Sequence, residues 1–446
     1  MASVRGPPKK FHIDAISSLS VTSSKANKFF GISRKLVSHT SAIAVAKLLE
    51  LCFELLPHAL YSPDLAPSDF FLFPNLKKWL AGKRYTSNTK VITETNAYFE
   101  ELEKLYYTEG LKKLDIVDLS RNLLKFHAFA KTIRKCDDIL KPYDISVTDI
   151  LTKAEKSICE NTLNVSIGIV AIQIGLVDLL RSLGITPDYM IGHSGGELGC
   201  AYADECLTIE QTILSAYFVG ITCAKEKIIH SSMAVVNLSY EHLKNICPLN
   251  IEIVCHNSKT SSVVCGPPEL VQEFTKKLKV NNVYVKEIYC NVPYHSSYLA
   301  PAETQLLLNL NKIIPQPKKR SSKWISTSIP RTKWSTSTAK LSSADYHTRS
   351  LLNTVLFQQT TDLIPSNAVV IEIAPDNVLQ HVLTGSLHPN VTNIVMTQQT
   401  NKNIDITLQG IGKIYNCGLQ LQIASLYPSV EFPVSRGTPM ISPSIR

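Results

Sequence analysis

The run Met190-Ile-Gly-His-Ser-Gly-Gly-Glu197 sets Gly-x-Ser-x-Gly between an apolar stretch and a helix-compatible one, Leu198-Gly-Cys-Ala-Tyr-Ala203. That order predicts a strand turning sharply into a helix, a nucleophile elbow. Such a turn lifts the Ser194 hydroxyl above the end of a sheet. It also aims the first N–H groups of the next helix at any oxyanion formed beside the serine. The competing reading is a glycine-rich turn whose serine merely caps a helix.

The surrounding pattern supplies the sheet an elbow needs. Strand-like runs near 189–191, 324–329, 369–373 and 394–396 alternate with helical segments. Such alternation predicts an α/β domain with a largely parallel sheet covered on both faces. Between residues 232 and 292 the order changes to strand 233–238, helix 240–245, strands 251–255 and 262–265, helix 268–279 and strand 283–287. That β-α-β-β-α-β order predicts a ferredoxin-like subdomain inserted in the larger domain.

Composition sets limits on the rest. With 446 residues, 44% of them hydrophobic, the chain can bury two or three cores. The most apolar run, 167–180, contains Gln173 and Asp178, which predicts a buried helix rather than a membrane span. The N-terminal ten residues lack the apolar centre of a signal peptide, so a cytoplasmic location is expected. Eleven cysteines without Cys-x-x-Cys spacing speak against a zinc site or a disulfide scaffold. The net charge of +9 is spread over short clusters such as Lys77-Lys78, Lys83-Arg84 and Lys318-Lys-Arg320, which read as solvated faces rather than a nucleic-acid surface.

A serine hydroxyl needs a base to become nucleophilic, and twelve histidines are available. His193 neighbours Ser194, but consecutive side chains at a tight turn point apart. His256 and His295 lie near strand ends of the inserted subdomain. His295 follows the last of these strands, where the chain re-enters the large domain and faces a cleft.

Together, Gly192-His-Ser-Gly-Gly-Glu197 with Ala203-Asp204, Cys255-His-Asn-Ser258, Tyr294-His-Ser296, Ile371-Glu-Ile-Ala-Pro375, Val430-Glu-Phe-Pro433 and Arg436-Gly-Thr-Pro439 resemble the malonyl/acetyl acyltransferase domain of animal type I fatty acid synthases. The resemblance runs from about residue 117 to the end. It implies an α/β-hydrolase-like acyltransferase domain at 115–426 with its ferredoxin-like subdomain at 232–292, followed by a linker at 427–446. It further implies that Ser194 carries an acyl group from coenzyme A to the phosphopantetheine of an acyl carrier protein. His295 would act as base and the Gly195 N–H as an oxyanion donor. No bound cofactor, metal or membrane is implied; acyl-coenzyme A and the carrier protein are the expected partners.

Two departures bear on activity. Val219, in Ala216-Tyr-Phe-Val-Gly220, stands where that family has the arginine that pairs the malonyl carboxylate. A Gly-x-Gly-x-Gln loop that gives the family its second oxyanion donor has no counterpart before Leu123, so an impaired enzyme is expected. Ser350 and Thr354 also replace an asparagine and a proline. Upstream of this, a leader at 1–37 is expected to be disordered. The segment 38–114, with Leu55-Leu-Pro-His58, Tyr61-Ser-Pro-Asp-Leu-Ala-Pro-Ser-Asp69 and Trp79-Leu-Ala-Gly-Lys-Arg84, resembles the C-terminal end of a mariner-type transposase. Asp69 matches one metal-binding aspartate of that family, and Arg34 stands in place of another. One carboxylate cannot hold a two-metal site. The alternatives to a transferase are a noncatalytic interaction module or, with less support, a transposase-derived DNA-binding protein.

Overall fold

The computed structural model describes residues 35–37, 54–56 and most of 121–427, leaving out 154–160, 227, 229, 289–291, 378 and 399–402. The chain divides into two units, Met1–Asp115 and Ile116–Arg446. In the first, Lys35–Val37 (β1), placed in the leader by the sequence, pairs in parallel with Glu54–Leu56 (β2). The rest of the transposase-like segment, Asp69 included, lies outside the described residues, as do 428–446.

The second unit is built around helices that wrap one apolar cluster. Helices His127–Leu140 (α1), Val147–Thr152 (α2) and Thr162–Ser182 (α3) come first. Asn161 starts α3 by accepting a hydrogen bond from Leu163 N at 2.9 Å. Helix α3 is long and apolar enough to cross a membrane by length and composition, but it lies mostly buried. Ile167, Val170, Ile174 and Leu179 pack in the same cluster as Phe129 and Ile133 of α1. Full burial of each such side chain contributes about 1.5–3 kcal/mol. The two polar interruptions are cross-links. Asp178 accepts from Thr132 Oγ1 (2.6 Å) and Tyr202 OH (2.7 Å), while Gln173 Nε2 reaches the Ile373 carbonyl at 3.5 Å.

Strand Met190–Ile191 (β3) leads through the elbow into Gly196–Ala203 (α4), and Ile209–Lys225 (α5) follows. A capping box between Thr208 and Gln211 starts α5. The α3 and α5 backbones approach closely at Gly220, where an added Cβ would meet Leu163 Cα at 2.8 Å.

The inserted subdomain comprises Ser232–Val236 (β4), Tyr240–Ile246 (α6), Glu252–Ser258 (β5), Ser261–Gly266 (β6), Pro268–Val280 (α7) and Val285–Ile288 (β7). Its four strands lie in the order β5-β6-β4-β7, all antiparallel. Numbered within the subdomain this is 2-3-1-4, the ferredoxin-like arrangement. Leu243, Val271, Phe274 and Leu278 close one face of that sheet in a separate core with Ala234 and Val264.

After the subdomain come Glu303–Ile313 (α8), Lys318–Lys319 (β8), Trp324–Ile325 (β9), Leu341–Ser342 (β10), Ala344–Leu352 (α9) and Gln358–Thr361 (α10). The chain continues through Val369–Glu372 (β11), Gln380–Ser386 (α11), Thr392–Val395 (β12) and Asn403–Asn416 (α12). Strand β3 pairs in parallel with β9, and β11 with β12. The fold is mixed α/β. One expected strand, 324–329, stops at Ile325. The cause is local: Thr327 turns its N–H and hydroxyl to the Glu197 carboxylate, each at 2.8 Å, instead of to a neighbouring strand.

Candidate active site

At the elbow the backbone of Ser194 takes φ 56°, the left-handed region that residues other than glycine seldom occupy. Gly192 makes the turn possible, since a Cβ there would lie 2.5 Å from Glu197 N and 2.6 Å from Gly196 C. Gly196 N donates to His193 O (2.9 Å) and Glu197 N to Ser194 O (3.0 Å), so the turn locks directly into α4. The Gly195 N–H has no hydrogen-bond acceptor among the described residues and heads the helix, the position for holding an oxyanion.

Of the three candidate histidines, the structure brings His295 to the serine. Its Nε2 is 2.7 Å from Ser194 Oγ, across 101 residues of sequence. Its Nδ1 is 3.0 Å from the main-chain carbonyl of Asn353, and its own N–H donates to the Leu351 carbonyl at 2.7 Å. His295 also sits at φ 66°, so both partners are held in strained backbone. Burial, with a smaller contribution from His193, lowers its pKa from 6.5 to about 4, against the opposing carbonyls of Asn353 and Ser350. The ring is therefore neutral and able to accept a proton through the physiological range.

His193 points elsewhere, as two adjacent turn residues must. Its Nε2 lies 2.8 Å from Asn257 Oδ1 on β5, and its ring meets Phe357 edge-on at 5.3 Å. It thereby ties the elbow to the inserted subdomain, while burial lowers its pKa. His256 stacks on Tyr240 with ring centroids 3.8 Å apart.

Beneath the elbow, Glu197 is fully buried. Its carboxylate accepts from Trp324 Nε1 (2.9 Å), Thr327 N (2.8 Å) and Tyr346 OH (2.6 Å). Burial raises its pKa, opposed by the hydrogen bonds from Tyr346 and Thr327 and by Arg320. Thr327 Oγ1 additionally donates to Gly192 O at 2.6 Å, joining this network to the turn itself.

A recess opens beside Ser194, enclosing about 10 Å³ of free volume, roughly the room one water needs. Val219, Leu310 and Leu351 form its apolar wall, and His347 and Ser350 of α9 its polar one. Val219 is buried and clusters with Val292, Leu306 and Leu351. No lysine or arginine lines the recess among the described residues. Neither do any three His, Cys, Asp or Glu groups among them gather as metal ligands.

Sequence reasoning did not assign parts to Glu197, Asn257 or His347. The first two act through contacts 130 and 64 residues distant, which no local pattern reports. The i, i+3 placement of His347 and Ser350 on one face of α9 was the available signal for the third.

Comparison with known proteins bears on the family and the fold. The family described as "Acyl transferase domain" matches residues 119–413. The squalestatin hexaketide synthase clz14 of Cochliobolus lunatus is 29% identical over 314 residues, covering 67% of this chain and 12% of that protein. The highly reducing polyketide synthase sdnO of Sordaria araneosa is 26% identical over 392 residues, covering 79% of this chain and again 12% of the relative. The chain thus spans about an eighth of the length of the curated relatives it matches. Among solved structures, the loading acyltransferase of the avermectin modular polyketide synthase superposes with a TM-score of 0.58 at 20% identity, over 67% of this chain and 95% of that one. The acyltransferase domain of the polyketide synthase PpsC of Mycobacterium tuberculosis gives 0.54 at 22% identity, over 62% and 86%.

Proposed function

The chain belongs to the acyl transferase domain family, and from that premise we propose that it moves an acyl group from coenzyme A to the phosphopantetheine thiol of an acyl carrier protein. One observation carries the proposal: the Ser194 hydroxyl, raised on a positive-φ elbow, lies 2.7 Å from the Nε2 of a buried, neutral His295. In the first half-reaction Ser194 Oγ attacks the thioester carbonyl as His295 Nε2 takes the hydroxyl proton. The Gly195 N–H stabilises the oxyanion, a contribution of roughly 3 kcal/mol. Collapse breaks the C–S bond, and the departing thiolate takes the proton from the imidazolium. In the second half His295 deprotonates the carrier thiol, which attacks the acyl-serine ester, and Ser194 Oγ leaves with that proton.

The acyl group is proposed to be uncharged. Val219 and the absence of a cation in the recess leave a malonyl carboxylate unpaired, which costs several kcal/mol in a buried site. The motif string from Cys255 to Pro375 favours a fatty acid synthase setting. The relatives found carry polyketide synthase names, and the chemistry is common to both. With no counterpart to the family's Gly-x-Gly-x-Gln loop ahead of Leu123, turnover is proposed to be slow, by roughly 10²–10³ for one missing donor.

The test is incubation of the purified chain with acetyl-coenzyme A and with malonyl-coenzyme A, followed by peptide mass spectrometry. An acetyl adduct on Ser194, abolished in Ser194→Ala, is the expected result. A folded protein that never acquires the adduct would leave the noncatalytic reading in its place.

A further inference from the structure

His347 lines the recess beside Ser194 with a buried imidazole, and one of its nitrogens has no partner among the described residues. Its Nε2 is 2.9 Å from Ser342 Oγ, whereas Nδ1 is buried with no hydrogen-bond partner among the described residues. A buried polar atom left unpaired is costly, so its retention calls for a partner from outside the chain. The ring has no freedom to turn away. It stacks on Trp324 with centroids 6.2 Å apart, meets Tyr346 edge-on at 5.2 Å, and is held at its other end by Ser342.

Burial and the nearby Arg320 charge lower the His347 pKa to about 3, so the group is a neutral hydrogen-bonding wall and not a cation. Arg320 itself is engaged elsewhere, donating to the carbonyls of Ala339 and Trp324 and lying over the Trp324 and Tyr346 rings at 4.8 and 4.9 Å. Beside His347 the Ser350 hydroxyl, also lining the recess, donates to the His347 carbonyl at 2.9 Å. Across from them stand Val219, Leu310 and Leu351. An alkyl chain would leave Nδ1 unpaired. A carboxylate would meet no positive charge and would lie close to the buried Glu197.

We propose that this recess selects a short acyl group bearing a neutral hydroxyl, with His347 Nδ1 as its hydrogen-bond partner. A hydroxyl both donates and accepts, so it satisfies Nδ1 in either tautomer of the ring. The free volume matches one water-sized group, so the recess takes the hydroxyl itself, carried at the end of a short acyl chain. This inference rests on the acyl-transfer reading above for its choice of ligand, but it is tested by binding as well as by transfer.

The experiment compares isosteric pairs of coenzyme A thioesters that differ by hydroxyl for methyl: glycolyl against propionyl, and 3-hydroxypropionyl against butyryl. Dissociation constants are measured by calorimetry on Ser194→Ala, and acylation of Ser194 on the native chain. The hydroxyl member of at least one pair is expected to bind and acylate about tenfold better. His347→Leu is expected to abolish that preference and His347→Asn, which keeps a donor and an acceptor, to retain part of it. Equal binding within both pairs overturns the proposal and assigns Nδ1 to a bound water. A hydroxyl preference in binding without any acyl-serine supports the subsite and sinks the transferase reading instead. Acylation by both members alike does the reverse.

Discussion

The main-chain carbonyl of Asn353 stands 3.0 Å from Nδ1 of His295, so a neutral dipole orients the imidazole that reaches Ser194. A carbonyl at Nδ1 fixes the tautomer with its proton there and leaves the Nε2 lone pair for the serine hydroxyl. The base then contributes through position and neutrality, without a carboxylate to stabilise the imidazolium. His295→Ala is therefore expected to slow Ser194 acylation by about 10²–10⁴-fold. Intact-protein mass spectrometry over time checks this. A rate unchanged by the substitution would remove His295 from the chemistry.

Acid should act on the same residue in two ways. His295 must be neutral to accept a proton, and its pKa is lowered to about 4. Acylation should rise with pH through about 4 and be flat well before 6.5. Stability follows from the same displacement. Below the unfolded value of 6.5 the unfolded chain takes up a proton at this position and the folded chain does not. Stability is thus lost as pH falls from 6.5 to about 4, on the order of 3 kcal/mol for this residue. His347, lowered to about 3, adds to the slope in the same direction. Urea midpoints measured against pH for the native chain and for His295→Gln should converge as pH drops through that window. Parallel curves would contradict the assignment.

The elbow and the subdomain were legible in the sequence because both are written in short-range pattern. Gly192 to Glu197 specifies a turn within six residues, and the alternation from Ser232 to Ile288 specifies its own strand order. Boundaries moved where a side chain outbid the ladder. The expected strand 251–255 runs on to Ser258 through two irregularities in its pairing with β6, and the expected strand 324–329 ends early because Thr327 serves Glu197. Residues that act across the fold were not legible. Asn257 holds His193, and His347 reaches the recess from α9, through proximities that exist only after the helices pack.

The glycines of the elbow are not equivalent, and substitution should separate them. A Cβ on Gly192 would run into the backbone of Gly196 and Glu197 at 2.5–2.7 Å, and backbone cannot step aside. On Gly196 the nearest such atom is Gln173 Nε2 at 3.8 Å, an ordinary contact with a flexible side chain. Gly192→Ala is expected to cost several kcal/mol or to misplace Ser194, whereas Gly196→Ala should change stability by less than about 1 kcal/mol. Chemical denaturation of both variants decides it. Equal tolerance would mean the turn is looser than its contacts indicate.

Val219 offers the sharpest control over acyl choice. It is buried on α5 and lines the recess beside Ser194, among apolar neighbours that give a carboxylate nothing to pair with. Val219→Arg would place a guanidinium there, uncompensated in the free protein and paired once a malonyl group enters. An unpaired buried charge costs about 3–5 kcal/mol, so the variant should unfold at lower denaturant than the native chain. Malonyl-coenzyme A should restore much of that loss by binding the folded state alone. Bidentate pairing should also raise malonyl loading of Ser194 by tenfold or more, while acetyl loading falls or stays level. Competition between labelled malonyl- and acetyl-coenzyme A reads both effects at once. If the variant loads malonyl no better than the native chain, the missing cation is not what excludes the carboxylate, and the barrier lies in the size of the recess.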